Sequence, residues 1–183
     1  MSRIGLKPIT LPAGTTCEVV GNKVVVSGKL GKLEQEIKPQ VKVKVENNVV
    51  TLSRVNETKD VKALHGLYRA LINNMVKGVT EGWTKKLTIN GVGYKVTKQG
   101  NKLVMNLGLS HPVEVVEVEG IKLDVNPANA NEVIVSGADK EKVGGVAAKI
   151  RELKPVEPYH LYGIRYSDEV VIKKEGKTVA GKK

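Results

Sequence analysis

The sequence predicts an α+β fold made of two tandem homologous domains, each an antiparallel β-sheet with helices packed on it. Three observations point there. Two distant stretches read alike: Asn22-Lys23-Val24-Val25-Val26-Ser27-Gly28-Lys29-Leu30-Gly31 and Asn101-Lys102-Leu103-Val104-Met105-Asn106-Leu107-Gly108-Leu109-Ser110. Each is followed by apolar residues at period two, the mark of a sheet with one buried and one wet face. Each series then closes on an apolar stripe at helical spacing.

The elements follow in order. In the first copy a turn residue, Asn22, opens an apolar strand that breaks at Gly28. Val41, Val43 and Val45 then alternate with Lys42, Lys44 and Glu46, which places the two lysines on the wet face. Val49 to Leu52 form a further strand. A helix is expected over 59–77, capped by Thr58 or Asn56, with Val61, Leu64, Tyr68, Leu71, Ile72, Met75 and Val79 on one face and Gly78 near its stop. The boundary falls near Gly82, with Trp83 opening the second copy. Thr88-Ile89-Asn90-Gly91-Val92-Gly93-Tyr94 supply its first strand and turn. Val113, Val115 and Val118 interleave with glutamates, and Glu132 to Val135 give another strand. The second helix, expected over 139–153 with Asp139 as its cap, carries Val143, Val146, Ala147, Ile150 and Leu153 and ends at Pro155. Gly144 and Gly145 weaken it by about 1 kcal/mol each relative to alanine. They point either to close packing or to a soft helix. The expected domains are residues 1–82, residues 83–154 and a basic tail over residues 155–183.

Composition narrows the function. The chain has 183 residues and a formal charge of +11, which attracts polyanions. Lone Cys17 forms neither a disulfide framework nor a cysteine-based metal site. Neither a membrane span nor a signal peptide is expected, so a reducing, cytoplasmic setting fits. The excess charge is uneven. Residues 1–82 carry 13 basic and 7 acidic side chains, residues 83–148 carry 8 and 7, and residues 149–183 carry 9 and 5. Tyr159, Tyr162 and Tyr166 lie in that last basic segment. Lysine and arginine neutralise phosphates and tyrosine stacks on bases, so the tail reads either as an RNA contact or as an arm packed on its own domain.

Familiar catalytic constellations are missing. His65, His111 and His160 are far apart and lack ligand spacing around them. Gly91-Val92-Gly93 lacks the third glycine of a dinucleotide fingerprint, since Val96 stands there. Gly176-Lys177-Thr178 imitates the end of a phosphate loop, but Val171 occupies the leading glycine position. No Gly-x-Ser-x-Gly elbow occurs. Glu114, Glu117 and Glu119 read as the wet face of a strand. The expectation is a protein without enzymatic activity, cofactor or metal.

The stretch PVEPYHLYGIRY, from Pro155 to Tyr166, resembles the hallmark of the universal L-six family, the sixth protein of the large ribosomal subunit, which in bacteria looks like PPEPYKGKGIRY. Ile150-Arg151 precedes it here, and Asp168-Glu169-Val170-Val171 and Lys173-Lys174 follow it. Met1-Ser2-Arg3-Ile4-Gly5, Arg69-Ala70-Leu71-Ile72-Asn73-Asn74-Met75-Val76, Gly91-Val92-Gly93-Tyr94 and Leu109-Ser110-His111-Pro112 agree as well. The resemblance implies two similar domains and no catalysis. It implies binding to large-subunit (23S) rRNA, chiefly through the C-terminal domain and tail. It also implies a place near the stalk base and the sarcin–ricin loop, beside neighbouring ribosomal proteins and where translational GTPases dock, and not a homo-oligomer. A free RNA-binding chaperone or regulator is the alternative, and it accounts only for the charge and the tyrosines.

Arg151, Lys154, Tyr159, His160, Tyr162, Arg165, Tyr166, Lys173, Lys174 and Lys177 are the expected rRNA-binding residues. One departure stands out: His160-Leu161-Tyr162 replaces the family's Lys-Gly-Lys. Either Tyr162 replaces a lysine contact by stacking, or this loop faces solvent.

Overall fold

The computed structural model describes residues 4–177. Met1, Ser2 and Arg3 of the opening motif, and positions 178–183 of the expected tail, lie outside the described residues. The chain folds as two compact units. The first comprises the residues up to Trp83 together with Gly137–Lys140, and the second comprises Thr84–Ser136 together with the residues from Glu141 onward.

The first unit holds β1 (Ile9–Thr10), β2 (Thr16–Val20), β3 (Lys23–Gly28), β4 (Gly31–Glu36), β5 (Val41–Glu46), β6 (Val49–Arg54) and α1 (Lys59–Thr80). Its strands form two sheets, β2-β3-β4 and β1-β6-β5. In β5 alternation decides which side is buried as far as Val43: Val41 is buried and Val43 half-buried, while Lys42 and Lys44 are exposed; Val45, expected on the buried side, is exposed near the strand's end. Asn47 and Asn48 join β5 to β6, both with positive φ (48° and 61°), as a two-residue type I′ hairpin requires.

Helix α1 packs on β3, β4 and β6. Its buried stripe is Val61, His65, Tyr68, Ile72, Met75, Val76 and Val79; Leu64 and Leu71, expected on that stripe, are half-buried at its margin. Thr58 is the N-cap residue, but its side chain makes no capping hydrogen bond. The helix runs through Gly78, and the left-handed Gly82 (φ +81°) follows its C-cap, Glu81. The buried His65 donates through Nε2 to the Leu52 carbonyl (3.1 Å), which ties α1 to β6.

The second unit repeats the order with β7 (Trp83–Asn90, entered from the first unit), β8 (Lys95–Gln99), β9 (Lys102–Asn106), β10 (Val113–Val116), β11 (Ile121–Asn126), β12 (Asn129–Gly137) and α2 (Lys140–Glu152). Its sheets are β10-β9-β8 and β11-β12-β7-β13, where β13 is Gly163–Tyr166. In both copies an opening strand is followed by a three-strand meander, a hairpin and a helix. In both, the opening strand lies beside the hairpin's second strand, β1 beside β6 and β7 beside β12. The α+β class with antiparallel pairing is the one the sequence predicts. Leu87, Ile89, Leu103, Met105, Leu123, Val133, Val135, Val143, Ala147, Ile150 and Ile164 are buried in this unit.

Local details differ from or refine the expectations. Val118 lies beyond β10 and is exposed, so the alternation ends at Val116. A Cβ at Gly144 or Gly145 would meet nothing within 4 Å, so these glycines do not serve close packing within the described residues of this chain. Part of the segment after Pro155 packs on its own domain: β13 extends the main sheet of the second unit and has no counterpart in the first.

Candidate nucleic-acid interface

Strand β13 anchors the expected site. It pairs antiparallel with β7 in the register Gly163↔Asn90, Ile164↔Ile89, Arg165↔Thr88 and Tyr166↔Leu87. Ile164 and its partner Ile89 are both buried, so the segment is held by burial as well as by backbone bonds. The Ile164 N–H donates to the Lys154 carbonyl (2.8 Å), closing the chain on itself just after α2. Gly163 permits this crossing: its φ is +137°, and a Cβ there would fall 2.6 Å from the Pro155 oxygen.

A clasp holds the far end of β13. Arg151, in the last turn of α2, donates through Nε to Glu169 Oε2 (3.0 Å) and through a terminal nitrogen to Glu169 Oε1. The Tyr166 N–H also donates to Glu169 Oε2 (3.2 Å). The Arg151 guanidinium and then this N–H hold the Glu169 carboxyl below its ordinary range, against desolvation, which acts the other way. The same hydrogen bond raises Arg151. The Tyr166 ring meets two cations, Lys85 Nζ at 5.4 Å and the Arg151 guanidinium at 5.8 Å from its centroid. Lys85 also pairs with Asp168 (3.3 Å).

Between α2 and β13 the chain makes a tight loop over 157–162. The Glu157 N–H donates to the Tyr162 carbonyl (2.9 Å) and the Leu161 N–H to the Glu157 carbonyl (3.0 Å). Asn90 Nδ2, on β7, donates to the Leu161 carbonyl (3.1 Å). Leu161 is thereby held at φ +63°, a left-handed conformation that a leucine rarely adopts. It stands where the family pattern has glycine. Glu157 Oε1 accepts from the His160 backbone N–H (2.9 Å) and lies 2.8 Å from His160 Nδ1. These two contacts, the backbone one first, lower the Glu157 carboxyl. The rings of His160 and Tyr162 stack, with centroids 5.6 Å apart and planes 17° apart. Tyr159, His160 and Tyr162 are all exposed.

The remaining expected residues are cations around this frame. Arg165 is half-buried and, by strand alternation, lies on the face of β13 opposite Ile164 and Tyr166. Lys154 is half-buried, while Lys173, Lys174 and Lys177 are exposed. The Lys174 N–H donates to the Pro158 carbonyl (2.9 Å), which returns the final described segment to the 157–162 loop. The structure thus gathers Tyr159, His160, Tyr162 and Lys174 at one loop. Arg151 and Tyr166 it places in the clasp. Sequence reading missed β7's share of the frame, from Lys85, Asn90 and Thr88. The adjacent Lys85-Lys86 pair was visible, but nothing local indicated that residues 163–166 would lie beside it.

Elsewhere the described residues assemble little chemistry. No group of three or more His, Cys, Asp or Glu among them is placed to hold a metal. No helix among the described residues is long and apolar enough to cross a membrane. Glu114 pairs with Lys102 (3.1 Å), and Glu117 pairs with Lys98 (3.2 Å) and accepts from the Leu123 N–H (2.9 Å). A groove in the first unit is lined by Val19, Val24, Ile37, Lys38, Val41 and Lys42, among others.

Fold and site together define a class: a duplicated α+β protein whose C-terminal frame exposes cations and rings. Comparison with known proteins narrows it. The family model described as "Ribosomal protein L6" matches residues 11–82 and again residues 90–167. A large ribosomal subunit protein uL6 from Exiguobacterium sibiricum is 52% identical over 178 residues, 97% of this chain and 99% of its own length. Those of Listeria monocytogenes serotype 4a and Shouchella clausii are 51% and 49% identical over the same shares of each chain. The chain belongs to the ribosomal protein L6 family.

Proposed function

We propose that this chain is a structural constituent of the large ribosomal subunit, in the cytoplasm, and that it binds large-subunit rRNA through the C-terminal frame of its second unit. The exposed loop over 157–162, held against the sheet and joined by Lys174, carries this reading. Tyr159, His160, Tyr162, Arg165, Lys154, Lys173, Lys174 and Lys177 are the contacting residues. Arg151 and Tyr166, whose charge and ring are engaged with Glu169 and Lys85, keep β13 and the segment after it in position. Phosphates are met by the lysines and by Arg165, whose guanidinium can bind in a bidentate way. Family membership supports the finer placement near the stalk base and the sarcin–ricin loop, beside the docking region of translational GTPases.

Neutralising the lysines tests this better than truncation after Lys154, which would also remove Ile164 from the core. The chain with Lys173, Lys174 and Lys177 changed to glutamine should keep its circular dichroism and bind large-subunit rRNA more weakly. Unchanged binding would reject the interface. Sedimentation of the endogenous protein tests the first half: a constituent travels almost entirely with large subunits, and a free chaperone or regulator does not.

A further inference from the structure

We infer that the stacked rings of His160 and Tyr162 form a seat for one unpaired nucleobase of the bound RNA. This rests on the proposed RNA interface and names the chemistry of its central loop. A stacked pair leaves one free outer face on each ring, and here both residues are exposed, the His160 side chain by 68%. Flat apolar faces open to water favour stacking with a further π-system, and an unstacked base supplies one in RNA.

The loop is ordered for this task. Its ends are closed by Glu157 and Tyr162, its crest is held by Asn90, and Leu161, between His160 and Tyr162 in the chain, stays left-handed. A bulky residue kept in that conformation marks a geometry the surroundings impose. Preorganisation of this kind reduces the ordering entropy lost on binding.

Charge selects a base over a phosphate at this point. Glu157 holds its carboxylate against His160 Nδ1, and a phosphate brought there would meet a like charge. A neutral base does not. Lys174 adjoins the loop through its backbone bond to Pro158, and its exposed side chain is available to the phosphate beside the seated base.

The test uses the full chain, large-subunit rRNA as the probe, and dissociation constants measured across a range of salt. Changing Tyr162→Ala should weaken binding about tenfold at every salt concentration, within the range for losing one stacked base. The salt slope should not change, and one unpaired base protected by the native chain should regain chemical reactivity. Tyr162→Phe should restore both affinity and protection, and His160→Ala should weaken binding in the same salt-independent way. Native affinity in both alanine variants, a loss that flattens the salt slope, or a phenylalanine variant as weak as the alanine would overturn the seat. These outcomes leave the interface standing. A native chain that does not bind large-subunit rRNA overturns the interface and the seat with it.

Discussion

Arg151 grips both carboxylate oxygens of Glu169, a residue 18 positions further along the chain, and so fastens the end of α2 to the segment that leaves β13. The pair is partly exposed, its side chains 36% and 25% accessible, so its direct worth is modest. In a double-mutant cycle of Arg151→Ala and Glu169→Gln, the coupling energy should be about 1 kcal/mol. Both single variants should be cut faster by protease after Tyr166. If Arg151 were instead a phosphate ligand, Arg151→Ala alone would flatten the salt dependence of rRNA binding, and Glu169→Gln would not.

Acid should open this clasp. Arg151 holds the folded-state Glu169 carboxyl below the usual value of about 4.3. A depressed carboxyl contributes stability that is fully present above its unfolded pKa and is lost as pH falls through the folded one. Exchange protection at Tyr166 and Glu169 should therefore be constant at neutral pH and decline below about pH 4. Glu169→Gln should remove that decline, and an equal decline in the variant would assign it to other groups.

Strand β13 belongs to the core of its unit. Ile164→Ala should lower unfolding stability by about 2–4 kcal/mol, the cost of deleting a fully buried aliphatic side chain. Chemical denaturation measures it. A change under half a kilocalorie would mean that the strand is only loosely attached.

Gly144→Ala and Gly145→Ala should act in the opposite direction. Each Cβ would enter open space within α2, so each change should stabilise by up to about 1 kcal/mol through helix propensity. Thermal unfolding of the two variants checks the sign. Destabilisation would show that the glycines are needed for close approach.

The lysine-neutralised chain should also change its response to salt. If Lys173, Lys174 and Lys177 each meet one phosphate, the slope of log K against log salt should become shallower by roughly 2 to 3. An unchanged slope would place these lysines in solvent in the complex.

The duplication was legible in the sequence because its signals are local. Period-two valines in β5, the stripe from Val61 to Val79 in α1 and the matching blocks at 22–31 and 101–110 each depend on neighbours a few residues apart. The residue types of the proposed site were legible too, since tyrosines among cations in a basic segment show in composition. Tertiary structure decided where those residues sit and what they touch within the chain. Nothing near Gly163 announces that 163–166 will lie against β7, because that pairing joins residues more than seventy positions apart. The pairing buries Ile164 and places Arg165 on the opposite face. It brings the Tyr166 ring within reach of both Lys85 and Arg151, and Arg151, read as a phosphate ligand, also pairs with Glu169. Leu161 shows the same division. Its sequence context suggested only a lost glycine, whereas the hydrogen bond from Asn90 on a distant strand helps hold it left-handed beside two stacked rings. Periodicity and composition are properties of neighbours along the chain. Partner choice is settled by which distant surfaces can be buried together with their polar groups satisfied.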